Sequence, residues 1–101
     1  MGARLPIEPA ALAEICRRNR ILRLSLFGSQ LKGTARPDSD IDLLVEFEPN
    51  AVVTLLDMVR IERELSALLG GRKVDLRTAG DLSRHFRDEV IRSAAPQYVA
   101  G

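Results

Sequence analysis

Three features of the sequence predict an α/β (α+β) fold, a small mixed β-sheet packed with helices. Apolar residues recur at helical spacing in three segments and at period two in three others. The two kinds of segment interleave along the chain, which favours a layered sheet-and-helix arrangement. Glycines and prolines stand at the joins, at Gly28, Pro37, Pro49, Gly70-Gly71 and Pro96. The 101 residues fit one domain, residues 1–101, with a core of its own but little room for a separate substrate-selecting module.

Residues 8–19 read as a first helix with Pro9 tolerated in its opening turn and Leu12, Ile15 and Cys16 as its apolar stripe. Leu22 to Phe27 then alternates. Leu22, Leu24 and Leu26 share one face, and Arg23, Ser25 and Phe27 the other, which predicts a strand. Gly28 ends it, with the freedom in φ that a sharp turn into a short helical segment needs.

Thr34 to Ser39 is a polar loop containing Pro37. Asp40 to Phe47 is the second strand. Ile41, Leu43, Val45 and Phe47 are expected to face the core, and Asp40, Asp42 and Glu46 the other way with Leu44. The longest helix is expected over residues 52–69, with Leu55, Met58, Ile61, Leu65, Leu68 and Leu69 in one arc. Glu62 falls inside that arc and is expected to sit at the stripe edge, reaching solvent or an arginine. Gly70-Gly71 is a helix stop signal. Lys73 to Arg77 reads as a third strand with Asp75 pointing away from Val74 and Leu76. A last helix is expected over residues 80–94, with Leu82, Phe86, Val90 and Ala94 spaced by four, halted by Pro96.

Charge and cysteine content exclude several classes. The chain carries 15 basic and 14 acidic residues, a net charge of +1, which does not suit a dedicated nucleic-acid binder. Arg17, Arg18, Arg20 and Arg23 cluster where cations suit a helix C-terminus. Cys16 is the sole cysteine, so no intrachain disulfide is possible, and a core position in a reducing compartment fits it. No apolar run is long enough to span a membrane, and no secretory h-region opens the chain. Pro6 stands where N-myristoylation favours Ser or Thr. A cytoplasmic protein is expected.

The chemistry concentrates in residues 26–45. Asp40 and Asp42 lie at i and i+2 of a strand, on one face and roughly 6.5 Å apart at about 3.3 Å per residue. Two carboxylates so placed can share divalent cations. The Gly28-Ser29 corner upstream can offer backbone N–H groups and a hydroxyl to phosphate oxygens. A phosphate cradle beside metal-binding carboxylates is the minimum equipment for chemistry on a nucleoside triphosphate. Asp75, flanked by alternating β-formers, fits as a third carboxylate. Asp40-x-Asp42 alone would read as a solvated strand face after a turn; the glycines and serine ahead of it favour a metal site. Ser29 fits either a phosphate contact or a helix N-cap, and the two are compatible. Lys32 and Arg36 fit equally as triphosphate counter-ions and as solvated loop charges. His85 lies off the apolar arc and reads as an ordinary exposed histidine.

Gly28-Ser29, then Gly33, then Ser39-Asp40-x-Asp42-Leu43 resembles the motif of the nucleotidyltransferase superfamily that includes DNA polymerase β. In so short a chain, the pattern is most similar to the minimal nucleotidyltransferase (MNT) family, and the likeness runs from about Leu22 to the end of the chain. Several consequences follow from this resemblance. It implies the polymerase β-like fold, and catalytic metal ligands at Asp40, Asp42 and Asp75, with Asp75 able to act as base toward the acceptor. It implies nucleotide contacts at Gly28, Ser29, Lys32, Gly33 and Ser39. Mg²⁺, two ions, is the implied cofactor and ATP the substrate. Members are commonly encoded beside a HEPN-domain RNase toxin and, as antitoxins, adenylylate a toxin hydroxyl, so a HEPN toxin is the implied partner. Lys32 stands where relatives often carry Arg, keeping the charge without the bidentate geometry. Gln30-Leu31 replaces the aromatic-plus-small pair common there. Two other functions stay open: a binding module that neutralises its partner by contact alone, and a small-molecule nucleotidyltransferase.

Overall fold

The structure, a computed structural model, describes residues 5–28 and 40–100. Helix α1 spans Pro9–Arg18, and Pro9 opens it where a missing N–H costs nothing. Asn19 closes it: its Nδ2 and its backbone N–H both donate to the Ile15 carbonyl. Arg20, at φ +58°, then swings the chain into strand β1, Ile21–Phe27. Strand β2 is Ile41–Phe47, helix α2 Leu55–Leu68, and strand β3 Val74–Arg77. A 3-10 turn at Ala79–Asp81 leads to helix α3, Arg84–Ser93, and strand β4, Ala95–Val99.

The four strands form one mixed sheet in the order β3-β2-β1-β4. Strand β1 runs antiparallel to both β2 and β4, whereas β2 and β3 are parallel, joined through α2. One sheet face carries the main core. Leu24, Leu26, Ile41, Leu43, Val45, Val74 and Leu76 pack there on Leu12, Ile15 and Cys16 of α1 and Ile61 and Leu65 of α2. The opposite face carries a smaller cluster, in which Phe27 and Leu44 meet Leu82 and Val90. Because alternate strand residues face opposite ways, Asp42, between Ile41 and Leu43, and Asp75, between Val74 and Leu76, project on this thinly covered side. Among the described residues no helix is long and apolar enough to cross a membrane.

Several boundaries differ from the sequence expectation, each for a physical reason. The inward residue at the start of β1 is Ile21, 2% exposed, not Leu22, which is 38% exposed. A register irregularity against β2 between Ile21 and Arg23 flips the alternation there. Helix α2 begins at Leu55, behind a capping box in which Thr54 and Asp57 bond each other's backbone N–H groups. Leu55, expected in the apolar arc, is 85% exposed, and Leu68 also lies at the surface. The helix ends in a Schellman arrangement, with Gly71 donating to the Ser66 carbonyl and Gly70 and Gly71 both at positive φ. The last helix is split: Ser83 caps α3 through the Phe86 N–H, and Phe86 itself is largely exposed. Pro96 follows the end of that helix, but it is the second residue of an edge strand, where a missing N–H is tolerated. The short helical segment expected after Gly28, and the loop to Ser39, lie outside the described residues.

Candidate active site

Asp42 sits between two neighbours on the sheet: Phe27 opposite it on β1 and Asp75 opposite it on β3. Phe27 is the last residue of β1, and Gly28 follows at φ +80°. A Cβ at Gly28 would press on the Asp42 carboxylate, lying 3.2 Å from its Cγ and 3.3 Å from its Cβ. The chain therefore turns here in a backbone conformation that favours glycine, with room only for glycine. Asp40 precedes β2, is half-exposed, and lies 3.8 Å from Lys73 Nζ. Asp75 Oδ2 accepts hydrogen bonds from Arg77 Nε at 3.2 Å and Nη2 at 3.1 Å.

Burial raises the Asp42 carboxyl above its ordinary pKa, and the charges of Asp75 and then Asp40 raise it further. Arg77 acts the other way. The site is thus a patch of concentrated negative charge at the start of two parallel strands, with the Asp42 carboxylate lying close against the Gly28 turn. Oxygen-only carboxylate donors of this kind suit Mg²⁺, which binds through a few carboxylates together with phosphate oxygens and water. Among the described residues no three Asp, Glu, His or Cys side chains close into a metal-holding group. Asp42 and Asp75 are adjacent, but Asp75 is turned to Arg77 and Asp40 toward Lys73. Ser29, Lys32, Gly33, Arg36 and Ser39 lie outside the described residues.

Two further residues matter here. Arg77 shares a strand face with Asp75 two residues before it, a relationship that period-two alternation could have signalled. Glu62 was expected to reach solvent or an arginine; instead its Oε2 accepts the Leu76 backbone N–H at 2.7 Å. No local pattern carries that contact, because it joins α2 to β3. His85 is exposed, and burial pushes the Cys16 thiol up to about 12, which keeps it protonated and unreactive.

A family model described as the nucleotidyltransferase domain matches residues 10–98. The chain is 38% identical over 79 residues to the protein adenylyltransferase MntA of Thermococcus cleftensis, covering 78% of this chain and 77% of that one. It is 41% identical to a solved structure described as a minimal nucleotidyltransferase, with a TM-score of 0.71 and 87% of each chain covered. A crystal structure of a toxin–antitoxin pair with AMP-PNP shares the fold at a TM-score of 0.71 and 21% identity, over 93% of this chain and 75% of that one.

Proposed function

The chain belongs to the nucleotidyltransferase domain family, and on that footing we propose that it transfers AMP from ATP to a hydroxyl of a partner protein, as the antitoxin to a HEPN RNase toxin. The observation that carries this reading is the register of Asp42 with Asp75, directly beside a glycine whose missing side chain lets the Asp42 carboxylate lie against the turn. It is supported by the 38% identity to a protein adenylyltransferase, and by a shared fold with a toxin–antitoxin pair crystallised with AMP-PNP.

In this reading Asp40, Asp42 and Asp75 would hold two Mg²⁺ ions. Bound there, the cations supply charge neutralisation at the α-phosphate and at the leaving pyrophosphate. The chain's own residues do the rest. Gly28, Ser29 and Gly33 would offer backbone N–H groups to the triphosphate, and Lys32 and Ser39 a cation and a hydroxyl. Asp75 takes the proton of the acceptor hydroxyl. The acceptor oxygen bonds the α-phosphorus as the bond to the β-phosphate oxygen breaks, leaving a protein–AMP ester and pyrophosphate. Holding the two reactants in line is where most of the acceleration arises.

The test is incubation of the chain with α-labelled ATP, Mg²⁺ and the HEPN protein. Label should pass to the partner and be lost with Asp42→Ala; no transfer, or transfer unaffected by Asp42→Ala, overturns the proposal. A contact-only antitoxin draws on a different observation. Val52, Leu55 and Leu56 are more than 80% exposed beside a groove of about 530 Å³ lined by Phe47, Met58, Val59 and Leu76. Full neutralisation of the toxin in cells by an Asp40→Asn/Asp42→Asn chain would favour that alternative.

A further inference from the structure

We infer that Glu62 is a positioning residue for Asp75: from helix α2 it fixes the peptide plane that carries Asp75 and so holds that carboxylate in register with Asp42. The inference deepens the active-site proposal above and rests on it.

Strand β3 has only four residues and lies at the edge of the sheet. Its inner side is held by β2, as the Ile41 N–H donating to the Lys73 carbonyl at 2.9 Å shows. In a strand, the N–H and C=O of one residue point to the same side, and successive residues alternate. Lys73 and Asp75 therefore present their backbone to β2, whereas Leu76 presents its own outward, where no strand follows among the described residues.

Leu76 is only 5% exposed, so an unmet N–H there would be costly. Glu62 Oε2 meets it at 2.7 Å, a short bond assisted by the carboxylate charge. The nitrogen so gripped is bonded to the carbonyl carbon of Asp75. A shift of that peptide would move the Asp75 side chain directly. Glu62 is itself well placed to grip, since its neighbour Ile61 and Leu65 one turn on are fully buried in the core. A carboxylate inside an otherwise apolar arc thereby acquires a purpose that amphipathic patterning does not give it.

The test uses the full chain and two substitutions that conserve shape. Glu62→Gln keeps an acceptor oxygen; Glu62→Met removes it. With Mn²⁺ as probe, followed by its spin-resonance signal, Glu62→Met should bind about 10–100-fold more weakly, the range typical when a residue supporting a metal ligand is lost. Glu62→Gln should stay within about threefold, because an amide oxygen accepts the same N–H. Hydrogen exchange at the Leu76 amide should quicken in Glu62→Met alone. In an Asp75→Asn background, Glu62→Met should weaken Mn²⁺ no further, since its effect runs through Asp75. Equal weakening in both backgrounds would mark general destabilisation and overturn the inference, as would unchanged binding by Glu62→Met. An unsubstituted chain that takes up no Mn²⁺ instead removes the active-site proposal, and this inference with it.

Discussion

Gly28 and Asp42 are in steric contact across the β1–β2 pair: at φ +80°, Gly28 has no space for a Cβ, because the Asp42 carboxylate fills it. Substitution therefore meets two penalties. An L side chain in this left-handed conformation costs about 1–2 kcal/mol. The added methyl must also displace the carboxylate. Gly28→Ala should lower stability by at least that amount, a fall of roughly 4–8 °C in melting temperature per kcal/mol for a domain of this size. Transfer of labelled AMP should fall further, by about a hundredfold, since misplacement of a reacting group by an ångström has that effect. Denaturation and transfer assays on one sample separate the two; unchanged transfer would show that Asp42 tolerates the shift.

The Asp42 carboxyl titrates above its ordinary value because of burial and the charges of Asp75 and Asp40. A group whose folded pKa is raised favours the folded state below its unfolded value and loses that contribution as pH rises through the folded one. The chain without metal should thus carry a penalty at neutral pH that fades below the folded pKa of Asp42. Asp42→Asn should raise the melting temperature at pH 7 in the absence of Mg²⁺, with the gain shrinking toward pH 4, while abolishing transfer. Calorimetry across that range measures it. A gain that grows as pH falls contradicts the assignment of this charge cluster.

Arg77 currently supplies the cation that Asp75 binds, through Nε and Nη2 to one oxygen. The pair is well exposed, so it is worth at most about 1 kcal/mol. A divalent cation arriving at Asp75 must displace it. Arg77→Gln should accordingly tighten Mn²⁺ binding to the nucleotide-free chain by up to about fivefold, the equivalent of that energy. Titration of the two proteins with Mn²⁺ decides the matter, and weaker binding by Arg77→Gln would mean that Arg77 holds Asp75 in place rather than competing for it.

Legibility in the sequence tracked how local each determinant is. The stripe of α1, the alternation of β2 and the glycine stop after α2 are set within a few residues, and each was readable. Leu22 was not, because strict alternation was carried through a point where pairing with β2 slips. Strand β4 was missed because Pro96 reads as a terminator, and only its place at the edge, opposite Ser25, makes a proline acceptable in a ladder. The alternation of the two strands was enough to put Asp42 and Asp75 on one sheet face, and the pairing of β2 with β3 makes them neighbours. The partner of Glu62 was not, since it is a backbone group on an element that only tertiary packing brings near.

The N-terminus of α2 offers a prediction independent of the active site. Thr54 accepts the Asp57 N–H at 3.2 Å, and Asp57 Oδ2 accepts the Thr54 N–H at 2.9 Å and its hydroxyl at 3.0 Å. Two donors that the first helical turn leaves open are thereby met. Thr54→Ala should destabilise the chain by about 1 kcal/mol, the usual loss for an N-cap. The Thr54 backbone N–H, then its hydroxyl, hold the Asp57 carboxyl below its ordinary pKa, with a smaller contribution from Arg60. A group with a lowered folded pKa stabilises above its unfolded value, and that contribution is lost as pH falls through the folded one. The gap between the original chain and Asp57→Asn should therefore be full at neutral pH and close below pH 4, opposite in direction to the Asp42→Asn effect. Melting curves of both variants over one pH series test the two signs together; parallel trends would show that one of the carboxylates has been assigned the wrong environment.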